Sequence, residues 1–167
     1  TRDFMLEKLG IVGNGHIGSA LKSGLVKAGY TDILVSNHES DNIDVVANSN
    51  IIFLAVRPVI ACQVLDQIAL HLKNKILISL VAGLSISIQD VSTFRLMTSL
   101  LISENMGLNI VWTGQNTNVE ATKEVSELLE SLAPTRWVET EAKIDQATLS
   151  VGAAPGWIAE IVSLLPP

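Results

Sequence analysis

Three glycines near the start of the chain, Gly13, Gly15 and Gly18, have the G-x-G-x-x-G spacing that can bind a pyrophosphate. They lie between a short apolar run at 9–12 and a helical pattern at 19–28. In such a turn the first glycine permits the tight bend. The second lets a phosphate approach without meeting a Cβ atom, and the third lets helix and strand pack closely. A purely structural turn is the alternative, but the order strand, turn, helix favours phosphate binding at the helix N-terminus.

The rest of the chain alternates strand and helix patterns, which predicts an α/β fold. Further strands are predicted at 33–35, 51–56, 75–83, 94–97, 107–114 and 135–140, and further helices at 59–72, at 120–132 and from Glu141 onward. The segment 84–93 is predicted as a short helix or a turn. We expect a doubly wound Rossmann-type parallel sheet over 1–140, followed by the start of an α-helical domain over 141–167.

In a doubly wound sheet the ligand lies beyond the carboxyl ends of the strands. The candidate cofactor-binding residues there are Val12, Gly13, Asn14, Gly15, His16, Ile17, Gly18, Ser36, Asn37, Ala55, Val56, Arg57, Pro58, Ala82 and Gly83. The small side chains among them either leave room for a cofactor or simply let helices pack.

Composition excludes several classes of protein. The 167 residues are 48% hydrophobic, yet no apolar run reaches the roughly 18 residues of a membrane span. A net charge of −6 and the lack of a basic run argue against nucleic-acid binding. The first ten residues lack the apolar core of a signal peptide. The single cysteine, Cys62, rules out an internal disulfide, favours a cytoplasmic location and is expected to be buried. No metal-ligand cluster is visible.

The chain resembles the pyrroline-5-carboxylate reductase family in stretches that follow the family's order between Leu9 and Ile161. These are GIVGNGHIGSAL, SDNIDVVANSNIIFLAVRP, HLKNKILISLVAGLSI, Arg95 with Met97, and IDQATLS. The resemblance implies hydride transfer from a nicotinamide cofactor to a cyclic imine in proline biosynthesis. It also implies a homodimer or larger homo-oligomer, and a cofactor contact for Asn42, which could instead cap a helix.

Departures from the family concern the substrate. Its Pro-Asn-Thr-Pro is replaced by Thr98-Ser99-Leu100-Leu101, its Ser-Gly-Ser-Gly-Pro-Ala-Tyr by SVGAAPGW, and its Ser-Pro-Gly-Gly-Thr turn does not occur. Since apolar side chains cannot pair a carboxylate, we expect residues 1–167 not to reduce pyrroline-5-carboxylate at a useful rate. The last helix is expected to expose apolar side chains that need a partner: Trp157, Ile158, Ile161, Val162 and Leu164.

The family also has about one helix and one strand where this chain has only Glu39, between His38 and Ser40. Parallel strands need a crossover of about a dozen residues or more. A direct connection would leave a parallel pair without one, so the sequence predicts a missing segment.

The end of the second strand bears on the choice of cofactor. An NAD site usually has an acidic residue there, for the ribose hydroxyl. This chain has Ser36-Asn37-His38 and no carboxylate before Glu39, which favours NADP. His38 could contact a 2′-phosphate and His16 the other phosphates, or both could face solvent, and no proton donor is identifiable.

Three hypotheses follow. The first is an NADP-dependent imine reductase of the pyrroline-5-carboxylate type, acting on a small-molecule substrate. The second is a non-catalytic NADP-binding protein on the same scaffold, and the third is a related reductase with another substrate, since fold alone does not determine function.

Overall fold

The computed structural model describes residues 8–38 and 41–164. Their strands are β1 Leu9–Val12, β2 Ile33–Ser36, β3 Ile51–Leu54, β4 Ile76–Ser79, β5 Ser92–Met97, β6 Asn109–Thr113 and β7 Thr135–Trp137. Their helices are α1 His16–Lys27, α2 Asn42–Ala47, α3 Pro58–Ile68, α4 Val119–Leu132, α5 Glu141–Ala147 and α6 Ala154–Ser163. Shorter elements are the 3-10 segments Ala69–His71 and Leu100–Glu104 and the π-helix Thr148–Ala153.

The seven strands form one sheet in the order β2-β1-β3-β4-β5-β6-β7. The predicted α/β class is confirmed, but the sheet is only mostly parallel, because β6 runs antiparallel to β5. The connection 98–108 contains only a 3-10 segment. A parallel return would need a longer crossover, usually a helix. The direction of β6 therefore follows from the short connection before it.

The passage from β2 to β3 differs from the sequence-based expectation. Both strands pair with β1, one on each side, and α2 connects them. The expected parallel pair without a crossover does not arise, because β2 and β3 are not neighbours and α2 lies between them in the chain. Residues 39 and 40 of this connection lie outside the described residues.

Apolar layers cover both faces of the sheet. On one face, α1, α4 and the 3-10 segment 100–104 bury side chains such as Leu21, Ile102 and Leu128 against Phe53 and Phe94. On the other face, α2 and α3 pack over a second cluster, which is Val12, Val45, Val46, Ile52, Leu54, Ala61, Val64, Ile68, Leu72, Leu77, Val81, Ile86 and Val91. Strands buried on both faces read as continuous apolar runs, which is why they were visible in the sequence.

Some local predictions were wrong. The third and fourth strands end at Leu54 and Ser79 rather than at 56 and 83, although Val81 beyond the strand is still buried. Apolar composition cannot separate a strand from the buried loop that follows it. Of the segment 84–93, for which a short helix or a turn was predicted, residues 84–91 form no helix but contain a turn at 89–90, and 92–93 begin β5. Cys62 is exposed on α3, and Val59 on the first turn is 83% exposed, so the helix packs through other positions.

A buried arginine fastens α5 to the sheet. The Arg95 side chain on β5 is 4% exposed, and its guanidinium donates to Glu141 Oε1 at 3.0 Å and to Asp145 Oδ1 at 2.7 Å. The Ser85 hydroxyl donates to the other oxygen of Glu141 at 2.9 Å. Met97 packs with Ile144 and other residues of α5 and the π-helix in a third cluster. The helix α5 and the π-helix that follows it thus pack on β5 and β6.

Beyond this contact, α6 and the residue that follows it expose apolar side chains to solvent. Trp157, Ile158 and Leu164 are 54%, 60% and 78% exposed, as expected from the sequence. The side chains of Ile161 and Val162 lie outside the described residues. None of the described helices is both long and apolar enough to span a bilayer.

The Arg95 ion pairs give a stability prediction. Glu141→Gln leaves a buried guanidinium short of one charge partner and should lower the free energy of unfolding by about 2 kcal/mol. Asp145 is half exposed, so Asp145→Asn should cost about 1 kcal/mol or less. The control is Glu139→Gln, which breaks an exposed pair with Lys143 and should change stability by less than about 0.5 kcal/mol. Urea denaturation measures all three. Equal losses of stability in Glu139→Gln and Glu141→Gln would contradict a stabilising role for the buried ion pair between Arg95 and Glu141.

Candidate functional site

The glycine turn is held in place by two backbone contacts that tolerate no side chain. Gly13 has φ +107°, and a Cβ atom there would lie 2.6 Å from the Ala55 carbonyl oxygen on the neighbouring strand end. A Cβ on Gly18 would lie 2.0 Å from the Gly13 carbonyl oxygen. Gly13 therefore makes the tight turn, and Gly18 lets α1 lie directly against it, as the spacing predicted.

Gly15 differs from its two neighbours in the motif. It is the N-cap residue of α1 with an ordinary φ of −78°, and no side chain caps the helix. A Cβ atom on Gly15 would meet nothing within 4 Å. Free space therefore lies beside Gly15 at the uncapped N-terminus of α1, as a bound phosphate would need.

Side-chain hydrogen bonds tie the turn to the end of β2. The Gly13 N–H donates to Ser36 Oγ at 3.1 Å. The Asn14 amide donates to Asn37 Oδ1 at 2.8 Å, and the Ser19 hydroxyl donates to Asn14 Oδ1 at 3.0 Å. Ser36 is buried and therefore orients the turn, whereas Asn14 and Asn37 are exposed at its rim.

A cleft of about 640 Å³ opens at the carboxyl edge of the sheet beside this turn. The predicted site residues that line it are Gly13, Asn14, Gly15, His16, Ile17, Ala55, Val56, Arg57, Pro58 and Ala82. They come from the ends of three neighbouring strands, β1, β3 and β4. The structure therefore brings most of the predicted cofactor-binding residues to one place.

The remaining predicted residues lie off the cleft lining. Val12 is fully buried within β1, and Gly18 lies under the turn. Ser36 and Asn37 reach the site through their hydrogen bonds. Asn42 is 3% exposed and donates to Gln67 Oε1 at 3.0 Å, linking α2 to α3. Gly83, with φ +67°, forms the bend after β4.

Three lining residues were not predicted: Ile60, Leu80 and Leu100. Leu100 differs from the other two because it belongs to the 3-10 segment after β5, whereas the rest of the lining follows β1, β3 and β4. The sequence contained a signal, since Leu100 replaces a residue of the family's substrate loop. A carboxylate was also overlooked at the end of β2: Asp41 Oδ2 accepts a hydrogen bond from the His38 N–H at 3.1 Å.

A second cavity, of about 580 Å³, lies at the opposite edge of the sheet and is polar. Its lining includes Lys73, Lys75, Asp90 and Glu120. Partial burial lowers the pKa of Lys75. The Lys75 ammonium donates to three carbonyl oxygens at and just after the end of α2, at 2.6–2.9 Å. Its hydrogen bonds therefore stabilise the fold. Within 8–38 and 41–164, no cluster of three or more potential metal ligands occurs.

Gly18 has no room for a side chain and Gly15 has, so alanine at each position tests the close packing of α1 separately from the ligand space. Gly18→Ala gains about 1 kcal/mol of helix propensity, but its Cβ meets backbone, and such overpacking costs about 1–3 kcal/mol or more. We expect a net loss of stability in urea denaturation. Gly15→Ala is the control, since its Cβ has free space and should not destabilise the protein. A Gly18→Ala protein as stable as the wild type would contradict the close contact.

Known proteins match this chain over most of its length. The profile described as NADP oxidoreductase, coenzyme F420-dependent, matches residues 34–83. Pyrroline-5-carboxylate reductase from Corynebacterium melassecola is 25% identical over 185 residues, covering 94% of this chain and 68% of the relative. That match is longer than the 167-residue chain, so the relative carries residues inside it that this chain lacks.

Solved structures give the same result. The Plasmodium falciparum pyrroline carboxylate reductase with NADP bound superposes with a TM-score of 0.85 at 26% identity, over 95% of this chain and 67% of that one. An imine reductase from Myxococcus stipitatus in complex with NADP+ shares the fold at 18% identity, with a TM-score of 0.65 over 94% and 63% of the two chains. These comparisons confirm the resemblance, predicted from the glycine turn and the strand ends, to the pyrroline-5-carboxylate reductases.

Proposed function

We propose that this chain binds NADP(H) at the Gly13–Gly18 turn and is the nucleotide-binding part of a reductase acting on the C=N bond of a cyclic imine. The observation that carries the proposal is the uncapped N-terminus of α1, which opens at Gly15 into the cleft. The superposition on a reductase with NADP bound supports it.

The residues of the cleft fit such a cofactor. When bound, the nicotinamide supplies the hydride, so the protein must bind, orient and exclude water. The turn N–H groups and the dipole of α1 would hold the pyrophosphate. The small side chains of Ala55 and Ala82 leave room beyond the strand ends, and Leu100 adds an apolar side chain to the lining.

A non-catalytic NADP-binding protein is the second candidate, and the apolar Leu100 in place of the family's polar loop residue favours it. Turnover distinguishes the two. NADPH consumption in step with reduction of a cyclic imine supports the reductase. NADPH binding with no NADPH consumption in the presence of cyclic imines supports the non-catalytic NADP-binding protein.

The exposed apolar face of α6 supports a further part of the proposal, a homodimer or larger homo-oligomer formed through the C-terminal helices. Trp157 and Ile158 are both more than half exposed, and a second copy could cover them. The single cysteine is consistent with a cytoplasmic location.

The binding site is tested by a bulky side chain in the phosphate cradle. Gly15→Val should keep the fold, because its side chain meets open space, and should weaken NADPH binding more than about tenfold by occupying the pyrophosphate position. Gly156→Val is the matched control, since a Cβ there also meets nothing within 4 Å and the residue lies on α6. Calorimetric titration measures both. Unchanged NADPH affinity in folded Gly15→Val would refute the site.

The choice between nucleotides gives a second prediction. We expect NADPH to bind at least about tenfold more tightly than NADH at fixed ionic strength. Neither Ser36 nor Asn37 carries a negative charge, and the exposed Asn37 can donate to a 2′-phosphate, which NADH lacks. Asp41→Asn removes a negative charge beside the strand end and should raise NADPH affinity while leaving NADH affinity unchanged. Equal or reversed preference for the two nucleotides in the wild type would show that the strand end was misinterpreted.

A further inference from the structure

Three side chains at the rim of the glycine turn form a hydrogen-bond network with a defined direction. The Ser19 hydroxyl on α1 donates to Asn14 Oδ1 at 3.0 Å. The Asn14 amide nitrogen donates in turn to Asn37 Oδ1, at the end of β2, at 2.8 Å. All three residues are exposed, so a bound nucleotide can reach the network.

The direction of the network determines which group of Asn37 is left for a ligand. A side-chain amide has an oxygen that only accepts hydrogen bonds and a nitrogen that only donates them. Because Ser19 donates to the Asn14 oxygen, the Asn14 nitrogen donates to Asn37 and occupies the Asn37 oxygen. The Asn37 amide nitrogen is then the outer end of the network. In the part of the protein that the structure describes, it has no acceptor.

The backbone beneath the network fixes the distance between its two sides. The Gly13 N–H donates to Ser36 Oγ at 3.1 Å, and Ser36 is buried. Val12 and Ser36 are partners in the parallel pairing of β1 with β2. Asn14 follows Gly13 and Asn37 follows Ser36, so the two amides extend from strand ends that are held against each other.

An amide held in this way suits a phosphate group. A phosphate dianion accepts hydrogen bonds and does not donate them, so it pairs with an amide nitrogen and is repelled by an amide oxygen. The bond from Asn14 also removes rotamer freedom that Asn37 would otherwise lose when the nucleotide binds. The 2′-hydroxyl of NADH can donate as well as accept, so its binding depends less on the orientation of Asn37.

We propose that Asn14 and Ser19 are positioning residues that make the site selective for the 2′-phosphate of NADP(H). Asn14 holds the Asn37 amide with its nitrogen outward, and Ser19 holds the Asn14 amide in the orientation that this requires. The inference rests on the proposed function. It deepens that function by naming the side chains that set the choice between the two nucleotides through Asn37.

The experiment measures the dissociation constants of NADPH and NADH by calorimetric titration at fixed ionic strength. Asn14→Ala should lower the preference for NADPH about three- to tenfold, the effect of losing the order of one side chain. Ser19→Ala should lower it about threefold, and Ser19→Thr, which keeps the hydroxyl, should preserve it. The affinity for NADH should stay unchanged, whereas a merely structural role would weaken both nucleotides alike.

Ser23→Ala is the matched control. Ser23 is an exposed serine one turn further along α1, and its hydroxyl donates to the Ser19 carbonyl oxygen at 3.1 Å, outside the network. The preference should not change in this variant. A second comparison repeats Asn14→Ala and Ser19→Ala in an Asn37→Ala background. Neither change should lower the preference further there, because both residues act through Asn37.

Four results overturn the inference while the proposed function stands. The first is a wild type that binds NADPH and NADH equally. The second is a preference left unchanged by Asn14→Ala or by Ser19→Ala, and the third is an equal loss in Ser23→Ala. The fourth is a further loss when either change is added to Asn37→Ala. Failure of the wild type to bind NADPH refutes the proposed function itself, and the inference with it.

Discussion

The close contact of α1 with the turn that precedes it governs the geometry of the site. Gly18 lies against the Gly13 carbonyl, and Gly13 lies against the strand end at Ala55, each closer than a Cβ atom would permit. This contact fixes where the N-terminus of α1 points. Six residues later, Gly24 lets the 3-10 segment after β5 approach the same helix. Two glycines of one helix therefore set both the phosphate cradle and the position of Leu100.

The ends of the strands hold the glycine turn and form one side of the cleft. Because β1 lies between β2 and β3, the glycine turn has strand ends on either side. The β2 end holds the turn through Ser36, and the β3 end contributes Ala55 through Pro58 to the cleft. The relatives carry residues inside the matched region that this chain lacks. In the described part of this chain α2 is the helix between β2 and β3, and the residues that line the cleft are nevertheless brought together.

The sequence predicted the features that depend on local spacing. The different roles of Gly13 and Gly18 follow from the motif, and most strand ends of the cleft follow from apolar runs closed by small residues. Leu100 could not be placed, since its contact with α1 depends on the antiparallel return of β6 and on Gly24, about eighty residues away in sequence. The exposure of Cys62 was missed because a helical apolar pattern does not say which face it buries. Asp41 was overlooked because it reaches the strand end through a hydrogen bond, not through its place in the chain.

A crystal structure of the chain grown with NADP+ tests the central claim most directly, because two cavities of similar size lie at opposite edges of the sheet. The account predicts the pyrophosphate at the N-terminus of α1, within hydrogen-bond distance of the backbone N–H groups that follow Gly15. Nucleotide bound at the opposite edge beside Lys73, or a glycine turn left empty at saturating NADP+, would contradict it.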